Sequence, residues 1–590
     1  MLQRSPYLYL VPSTRRTRVL AWGLIGALAL GSVGFAASRP TLRGTGGAVS
    51  SDERLATETG LRILREGGNA VDGAVATALA LAVVQPEAGN LGGGGFAVVK
   101  MGDDVFHLDF REEAPAAAFR EMYLDEKGEP VPGASIVGPL AAGVPGSPSG
   151  LYALHKKAGK LPWAEVVAPA LEMARDGFEV SSRLYNSLMD EQDVLKRFPE
   201  TAAVWFPGGA APKPGTLFKL PELAKTLERY AAEGPRAVTH GAVAEAVEKA
   251  SKRHGGVLTA ADMASYEPVW REPVRVESFG WTVVGPALPS SGGILLGASF
   301  EQLEQVGWME KDRFGADRAH LLGEVWRRTY ADRYLLGDPT TSEAQAADLL
   351  DPKWLTERAA TVRLDKATSS DAVDFWSDGA PEVKEPSDTT HLSVVDKEGN
   401  LVALTTTING AFGCGLYVPG AGFFLNNEMD DFAANPGRPN MFGLIQGESN
   451  AVRPGKRMLS SQSPTIAWRQ EDGKLVDAVA LGGRGGSRIP TATMQVLLGV
   501  MVDGDGLQTA LDRPRVHHQW RPDALFHEED ALSPETRKAL EARGHSLELI
   551  GNVAQVQAVR WLLEDGRAWV EAGADPRGGG GTPGVVTPLP

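Results

Sequence analysis

The stretch PSDTTHLSVVDKEGNLVALTTTING sets Thr389, Thr390 and His391 where a loop-like run meets a strand-like run, and three more hydroxyls, Thr405 to Thr407, close the next strand-like run. A threonine hydroxyl is a weak nucleophile until a base takes its proton. The chain offers no Ser-His-Asp pattern and no G-x-S-x-G elbow. One base needs no partner side chain, namely the α-amine of the threonine itself, which titrates at about 8 once it is a chain terminus. Creating that terminus at Thr389 requires the Asp388–Thr389 bond to break. A hydroxyl beside a peptide carbonyl can attack it and form an ester, which water then hydrolyses. Taken alone, the same residues also read as the start of a strand, since threonine favours strands.

The elements that must position these hydroxyls are legible in the pattern. HLSVV and LVALTTTI read as strands joined by DKEGN, a hairpin loop in which Gly399 and Asn400 suit positive φ. Further strands are expected at GFFLNNE, PTIAWR and LVDAVAL, and a helix after GGRGGS. Upstream, Leu55, Leu61, Ile63 and Leu64 mark one helix. Ala70 to Val84 is apolar nearly all round and marks a second, buried one. NLGGGGFAVVKMGDDVFHLDFRE reads as strands around a hairpin. Helices dominate from 151 to 350, RAHLLGEVWRRTYADRYLL being the clearest, and 365–388 reads as a surface loop. Hairpins between long helices point to an α/β sandwich with antiparallel sheets.

At 590 residues, 43% of them hydrophobic and 23% charged, the chain can bury a large core. Its formal charge of −15 disfavours a nucleic-acid partner. A single cysteine, Cys414, excludes an internal disulfide and a cysteine metal cluster. Glycines cluster in NLGGGGF, GGRGGS and PRGGGGTPG, but none of these has the Lys-Ser/Thr of a phosphate loop. His517 and His518 are adjacent and lack metal-ligand spacing, so both read as structural, as does His391. At the N-terminus, Arg15, Arg16 and Arg18 precede the apolar run VLAWGLIGALALGSVGFAA. Residues 1–36 therefore read as an export signal, cleaved near Ala36, or as a retained anchor. The arginine pair hints at twin-arginine export, and the destination is periplasmic or extracellular.

Longer motifs carry more. TTHLSVVDKEGNLVALTTTINGAFGCGL, NNEMDDF, RMLSSQSPTI and GGRGGSRI resemble the gamma-glutamyltransferase family, also called glutathione hydrolases. The likeness extends through GGNAVDGAVATALALAVVQPEAGNLGGGGF, LDFREEAP, AAGVPG, PSSGG, TYADRYLLGDP and GADPRGGG, covering roughly residues 44–582. It implies a four-layer αββα fold of the N-terminal-nucleophile hydrolase type. It also implies a precursor that cuts itself into a large subunit, 37–388, and a small catalytic subunit, 389–590. The two remain together as a heterodimer forming one intertwined domain.

The resemblance further assigns roles. Thr389 is the nucleophile, with its α-amine as base. Thr407 supports self-processing from the neighbouring strand, and Gly485 and Gly486 form the oxyanion hole. Arg111, Ser460 and Ser461 hold a donor α-carboxylate, while Asn409, Glu428 and Asp431 hold its α-ammonium. Glu428 stands where some members have glutamine. The segment 435–447 is a lid with Phe442 as its gating aromatic, often tyrosine elsewhere. Singly, Arg111 also reads as a surface ion pair, Asp430 and Asp431 as a helix start, and the serines as capping hydroxyls. The implied donors are glutathione and other γ-glutamyl compounds, the implied acceptors water, amino acids or dipeptides, with no cofactor and no metal. Two rivals stay open: a β-lactam or glutaryl acylase on the same scaffold, and an unprocessed binding protein.

Overall fold

The computed structural model describes residues 40–373 and 389–587. The apolar run expected as a signal or anchor, and Asp388, lie outside the described residues. Among the described residues no helix is long and apolar enough to cross a membrane.

Two seven-stranded sheets form the centre. One runs, in spatial order, Thr582–Val586, Gly47–Ser51, Thr389–Asp396, Leu401–Thr407, Gly94–Met101, Asp104–Asp109 and Val269–Arg271. The other runs Leu42–Gly44, Arg567–Ala574, Gln555–Glu564, Lys474–Arg484, Thr465–Glu471, Trp281–Gly285 and Val274–Ser278. Every pairing in both is antiparallel. The strand alternation decides what each face meets. Leu401, Ala403 and Val395 point between the sheets, where they join Ile466, Ala480 and Val559. Leu392, Val394, Val402 and Leu404 point the other way, into the helices Arg54–Arg65 and Ala70–Val84. On the far side, Gly292–Gln305 and Ile489–Met501 cover the second sheet, and Ala316–Asp332 packs against Gly292–Gln305 in the same layer. The layers are thus helix, sheet, sheet, helix, and both sheets mix strands from before and after Thr389.

The helix Ala70–Val84 shows why local sequence and packing agree. Asn69 caps it by accepting from the Val71 and Asp72 amides, and Asp72 returns a bond to the Asn69 amide. All of its residues are buried between the sheet and the helix Trp163–Asp176, so an apolar surface all round is required rather than one stripe. The helix Ala316–Asp332 buries charge instead. Glu324 there accepts from Arg327 and, at 2.9 Å, from Arg328.

Several local expectations need correction. GFFLNNE is not a strand. It is buried irregular chain, with one bridge between Tyr417 and Phe424, leading into a short 3-10 turn at Glu428–Asp431. Its backbone lies so close to Gly92 that a Cβ there would come 2.0 Å from the Phe424 carbonyl oxygen. Of the two hairpin residues, only Gly399 has positive φ, at 84°. Val269–Arg271, Val274–Ser278 and Trp281–Gly285 are strands inside the stretch read as mainly helical.

Candidate active site

The hairpin Thr389–Asp396 and Leu401–Thr407 pairs Thr389 directly with Thr407. Both side chains point into the space between the sheets, and their hydroxyl oxygens are 3.2 Å apart, where either can donate. Thr407 Oγ1 also accepts from the Asn409 amide at 2.8 Å. Asn409 has a φ of 74°, an uncommon left-handed conformation for a residue with a side chain. That turn aims its Nδ2 at the Asn427 carbonyl, 3.1 Å away. His391 points inward further along the same strand. Its ring meets Thr405 Oγ1 at 2.8 Å and Ser393 Oγ at 2.9 Å, and burial pushes its pKa down to about 3. It is a neutral bracket within the sheet and does not line the pocket.

Around Thr389 the fold collects Arg111, Thr407, Asn409, Glu428, Asp431, Phe442, Ser460, Ser461 and Gly486 in one pocket. Gly485, one residue before, has a φ of 137°, and a Cβ on it would come 2.6 Å from Ala554 Cβ. Gly486 has a φ of 55°, and a Cβ on it would meet the Phe442 ring at 2.5 Å. Both positions therefore require glycine. The short turn Gly486–Arg488 and the helix Ile489–Met501 begin there, so the positive end of a helix dipole faces the pocket.

Arg111 sits at the end of the strand Asp104–Asp109, in a loop pinned by Arg457. The Arg457 guanidinium pairs with Asp109 at 2.9 Å and Glu113 at 2.6 Å. Arg111 is buried, and its two terminal nitrogens donate to Glu428 and Asp431. This differs from the expected two-sided site, with cation and acids facing each other across a gap: here they form one ion-paired cluster. Glu112 lies 3.8 Å from the same guanidinium, and neither of its buried carboxyl oxygens has a hydrogen-bond partner. One guanidinium faces three carboxyls, so not all can be ionised at once. Burial, aided by repulsion from Asp431 and Asp109 at Glu112 and from Glu112 and Asp431 at Glu428, pushes Glu112 up to about 8 and raises Glu428 and Asp431 as well, against the pull of Arg111.

Ser460 and Ser461 belong to a segment zipped onto PSSGG. Ser460 N donates to the Pro289 carbonyl at 2.8 Å, and Ser291 returns bonds to the Ser460 carbonyl from its amide at 2.9 Å and its hydroxyl at 2.8 Å. Over the top, the segment 435–447 brings Phe442 and Leu444 onto the pocket. Asn440 Nδ2 donates to Asp431 Oδ1 at 3.3 Å. Beneath this cover the free volume is about 20 Å³, room for about one water. Any larger ligand must displace it.

Sequence reasoning missed Arg333, which also lines the pocket. It lies inside TYADRYLLGDP, but nothing local distinguished it from neighbouring surface-type arginines. Sequence reasoning also missed a cluster with metal-like spacing, His320, Glu324 and His545. Most of its polar atoms are engaged: His320 bonds His545 Nε2 at 2.7 Å and the Arg363 carbonyl at 2.6 Å, and both Glu324 oxygens accept from arginines and Thr368, while His545 Nδ1 is buried without a hydrogen-bond partner. His517 and His518 are buried and neutral, pushed by burial to about 3 and about 4. A larger groove of about 620 Å³, lined by Trp308, Phe314 and Leu532, contains none of the residues around Thr389.

The profile of the gamma-glutamyltranspeptidase family matches residues 56–585. The chain is 42% identical over 567 residues to a glutathione hydrolase proenzyme of Pseudomonas aeruginosa, covering 94% of this chain and 98% of that one. It is 33% identical over 521 residues to the acylase ACY 1 proenzyme of Pseudomonas sp. strain SE83, covering 87% and 89%. Among solved structures, the cephalosporin acylase from Bacillus halodurans shares the fold with a TM-score of 0.80 at 24% identity, over 95% of this chain and 99% of that one.

Proposed function

The chain belongs to the gamma-glutamyltranspeptidase family and is an enzyme of that family, and from this premise we propose that it is an exported, self-processing γ-glutamyltransferase that acts on glutathione and related γ-glutamyl compounds through Thr389. The observation that carries the reading is the opposition of Thr389 and Thr407 hydroxyls, 3.2 Å apart, inside a pocket holding two guanidinium groups, two acids and two serines.

In the uncut chain the Thr389 nitrogen is an amide and has no useful basicity. Thr407, 3.2 Å away, assists the first step. Thr389 Oγ attacks the Asp388 carbonyl carbon, and the peptide becomes an ester with a free amine. Water hydrolyses that ester, releasing the Asp388 carboxylate and leaving Thr389 as a new N-terminus.

In turnover, that amine takes the Oγ proton while Oγ attacks the γ-carbonyl carbon of the donor. The Gly485 and Gly486 amides stabilise the oxyanion. The proton passes to the departing amine, cysteinylglycine in the case of glutathione, and a γ-glutamyl ester remains. Water or the amine of an amino acid or dipeptide then attacks the ester carbonyl, and Thr389 is regenerated. Arg111 with Ser460 and Ser461 reads the donor α-carboxylate, for which a guanidinium fork is suited. Asp431, Glu428 and Asn409 read the α-ammonium.

The test is release of a chromogenic amine from a γ-glutamyl anilide, with and without glycylglycine, by the wild type and Thr389→Ala. Wild-type turnover that is lost in the variant supports the reading, and surviving activity removes it. The likeness to an acylase proenzyme keeps a second reading, hydrolysis of a glutaryl-β-lactam amide. Glutaryl lacks the α-ammonium, so an acid at Asp431 contributes nothing to binding it. Turnover of a glutaryl amide in preference to the γ-glutamyl anilide would favour that alternative.

A further inference from the structure

The pocket holds two guanidinium groups, and they are not equivalent. Arg111 spends both terminal nitrogens on Glu428 and Asp431. Arg333 has no such partner. It lies in the turn Arg333–Leu335 that follows the helix Ala316–Asp332, and it is 2% exposed. Its Nε donates to Ser291 Oγ at 3.0 Å and its Nη2 to Ser461 Oγ at 3.2 Å. Its Nη1 is buried with no hydrogen-bond partner. Among the described residues no carboxylate forms an ion pair with it.

A buried cation without a counter-ion is expensive to keep. Burial, with a small contribution from the Arg111 charge, brings the Arg333 pKa down to about 10, opposed only in part by Tyr330 and Asp431. Such an arrangement is most stable when an anion arrives. An anion approaching Arg111 meets two carboxylates paired to it, whereas one approaching Arg333 meets a cation with no ion-paired carboxylate and the serine hydroxyls beside it.

We propose that Arg333 is a further substrate-binding residue, which shares the donor α-carboxylate with Arg111, Ser460 and Ser461 and supplies the net positive charge that Arg111, held by two acids, lacks. Nη1 is the free donor for that carboxylate. Nη2 fixes the Ser461 hydroxyl so that it presents its proton to the same group. This rests on the γ-glutamyl reading given above.

The test uses the processed full-length enzyme and two donors that differ only in the α-carboxylate: γ-glutamyl-p-nitroanilide and 4-aminobutanoyl-p-nitroanilide. Arg333→Met is expected to raise KM for the first donor about 30-fold or more, the loss typical of removing one partner of a buried charge pair, with kcat changed about threefold at most. The kcat/KM for the second donor should change by less than about threefold, so discrimination between the two collapses. Arg333→Lys, which keeps the charge but not the fork, should fall between. Calorimetric binding of L-glutamate should weaken in parallel with KM. If Arg333→Met fails to yield two subunits, Arg333→Lys carries the same comparison. Equal losses on both donors would overturn the inference and leave Arg333 as a brace for Ser291 and Ser461. A wild type that does not turn over the γ-glutamyl donor at all would defeat the γ-glutamyl reading itself, and this inference with it.

Discussion

At the scale of single residues, the threonines and acids differ in what each touches. Thr407 contacts the Thr389 hydroxyl and accepts from the Asn409 amide, so it can orient the attacking oxygen. Thr407→Val should slow self-cleavage by about 10²-fold or more, in line with losing a positioned proton-transfer partner. The appearance of two bands over time on a denaturing gel measures this, and unchanged processing would free Thr407 from the role. Asp431 supplies a pH dependence whose sign is fixed by its burial. Its carboxyl titrates above the ordinary range because it is desolvated, with Arg111 opposing. As pH falls through that raised value the carboxylate is protonated and loses its attraction for the donor ammonium. KM for a γ-glutamyl donor should therefore climb on the acid side at a pH above about 4, where an ordinary carboxyl titrates. Asp431→Asn should raise KM at all pH values and reduce this limb to the share that Glu428, also raised by burial, contributes. A KM that is flat with pH in the wild type would contradict the assignment.

At the scale of elements, the segment 435–447 matters most. The free volume beneath it is about 20 Å³, and under the proposed function the segment is a lid whose Phe442 and Leu444 move away to admit a γ-glutamyl group. Phe442→Ala removes the ring that packs on Gly486, and should speed association of a bulky γ-glutamyl anilide by about 3–10-fold, seen by stopped flow, if lid opening gates access. An unchanged association rate would make the segment a passive wall. The hairpin beneath was readable because two alternating runs flank a short loop with glycine, and that spacing alone sets Thr389 opposite Thr407. GFFLNNE misled because phenylalanine favours strands, while this run is buried as irregular chain against Gly92. Apolar composition without alternation does not separate the two cases. The strands at 269–285 were hidden by their brevity and by Pro268 and Pro273. Arg333 was invisible because its partners, Ser291 and Ser461, lie 42 and 128 positions away in the chain. The candidate pocket residues came from the family likeness more than from local pattern, since a lone arginine or serine pair says little until the fold gathers them.

At the scale of the whole molecule, both sheets interleave strands from each side of position 389. Cutting the chain there leaves the hydrogen-bond ladders of Thr389–Asp396 with Gly47–Ser51, and of Leu401–Thr407 with Gly94–Met101, in place. The two polypeptides should co-elute on size exclusion and separate only in denaturant, whereas separation in native buffer would contradict the interleaved topology. The buried histidines add a pH dependence to stability. His517 is held neutral with a pKa pushed by burial to about 3, against about 6.5 in an unfolded chain. Below pH 6.5 the unfolded state binds the proton first, so this histidine's contribution is complete above that pH and is lost as pH falls toward 3. The raised carboxyls Glu112 and Asp430 act in the opposite sense, since they favour the folded state as pH falls. For that reason the test compares variants: His517→Gln should lessen the loss of stability between pH 7 and pH 5 by up to about 2 kcal/mol, read from denaturant melts. An identical pH profile in wild type and variant would show that His517 is not held neutral.

The central claim is that residue 389 becomes a chain terminus whose amine serves its own hydroxyl. N-terminal sequencing of the smaller polypeptide from active, purified enzyme tests it most directly. The sequence Thr-Thr-His-Leu-Ser is the expected result. Full activity in a preparation containing only the uncut chain, or a smaller polypeptide starting elsewhere, would contradict it.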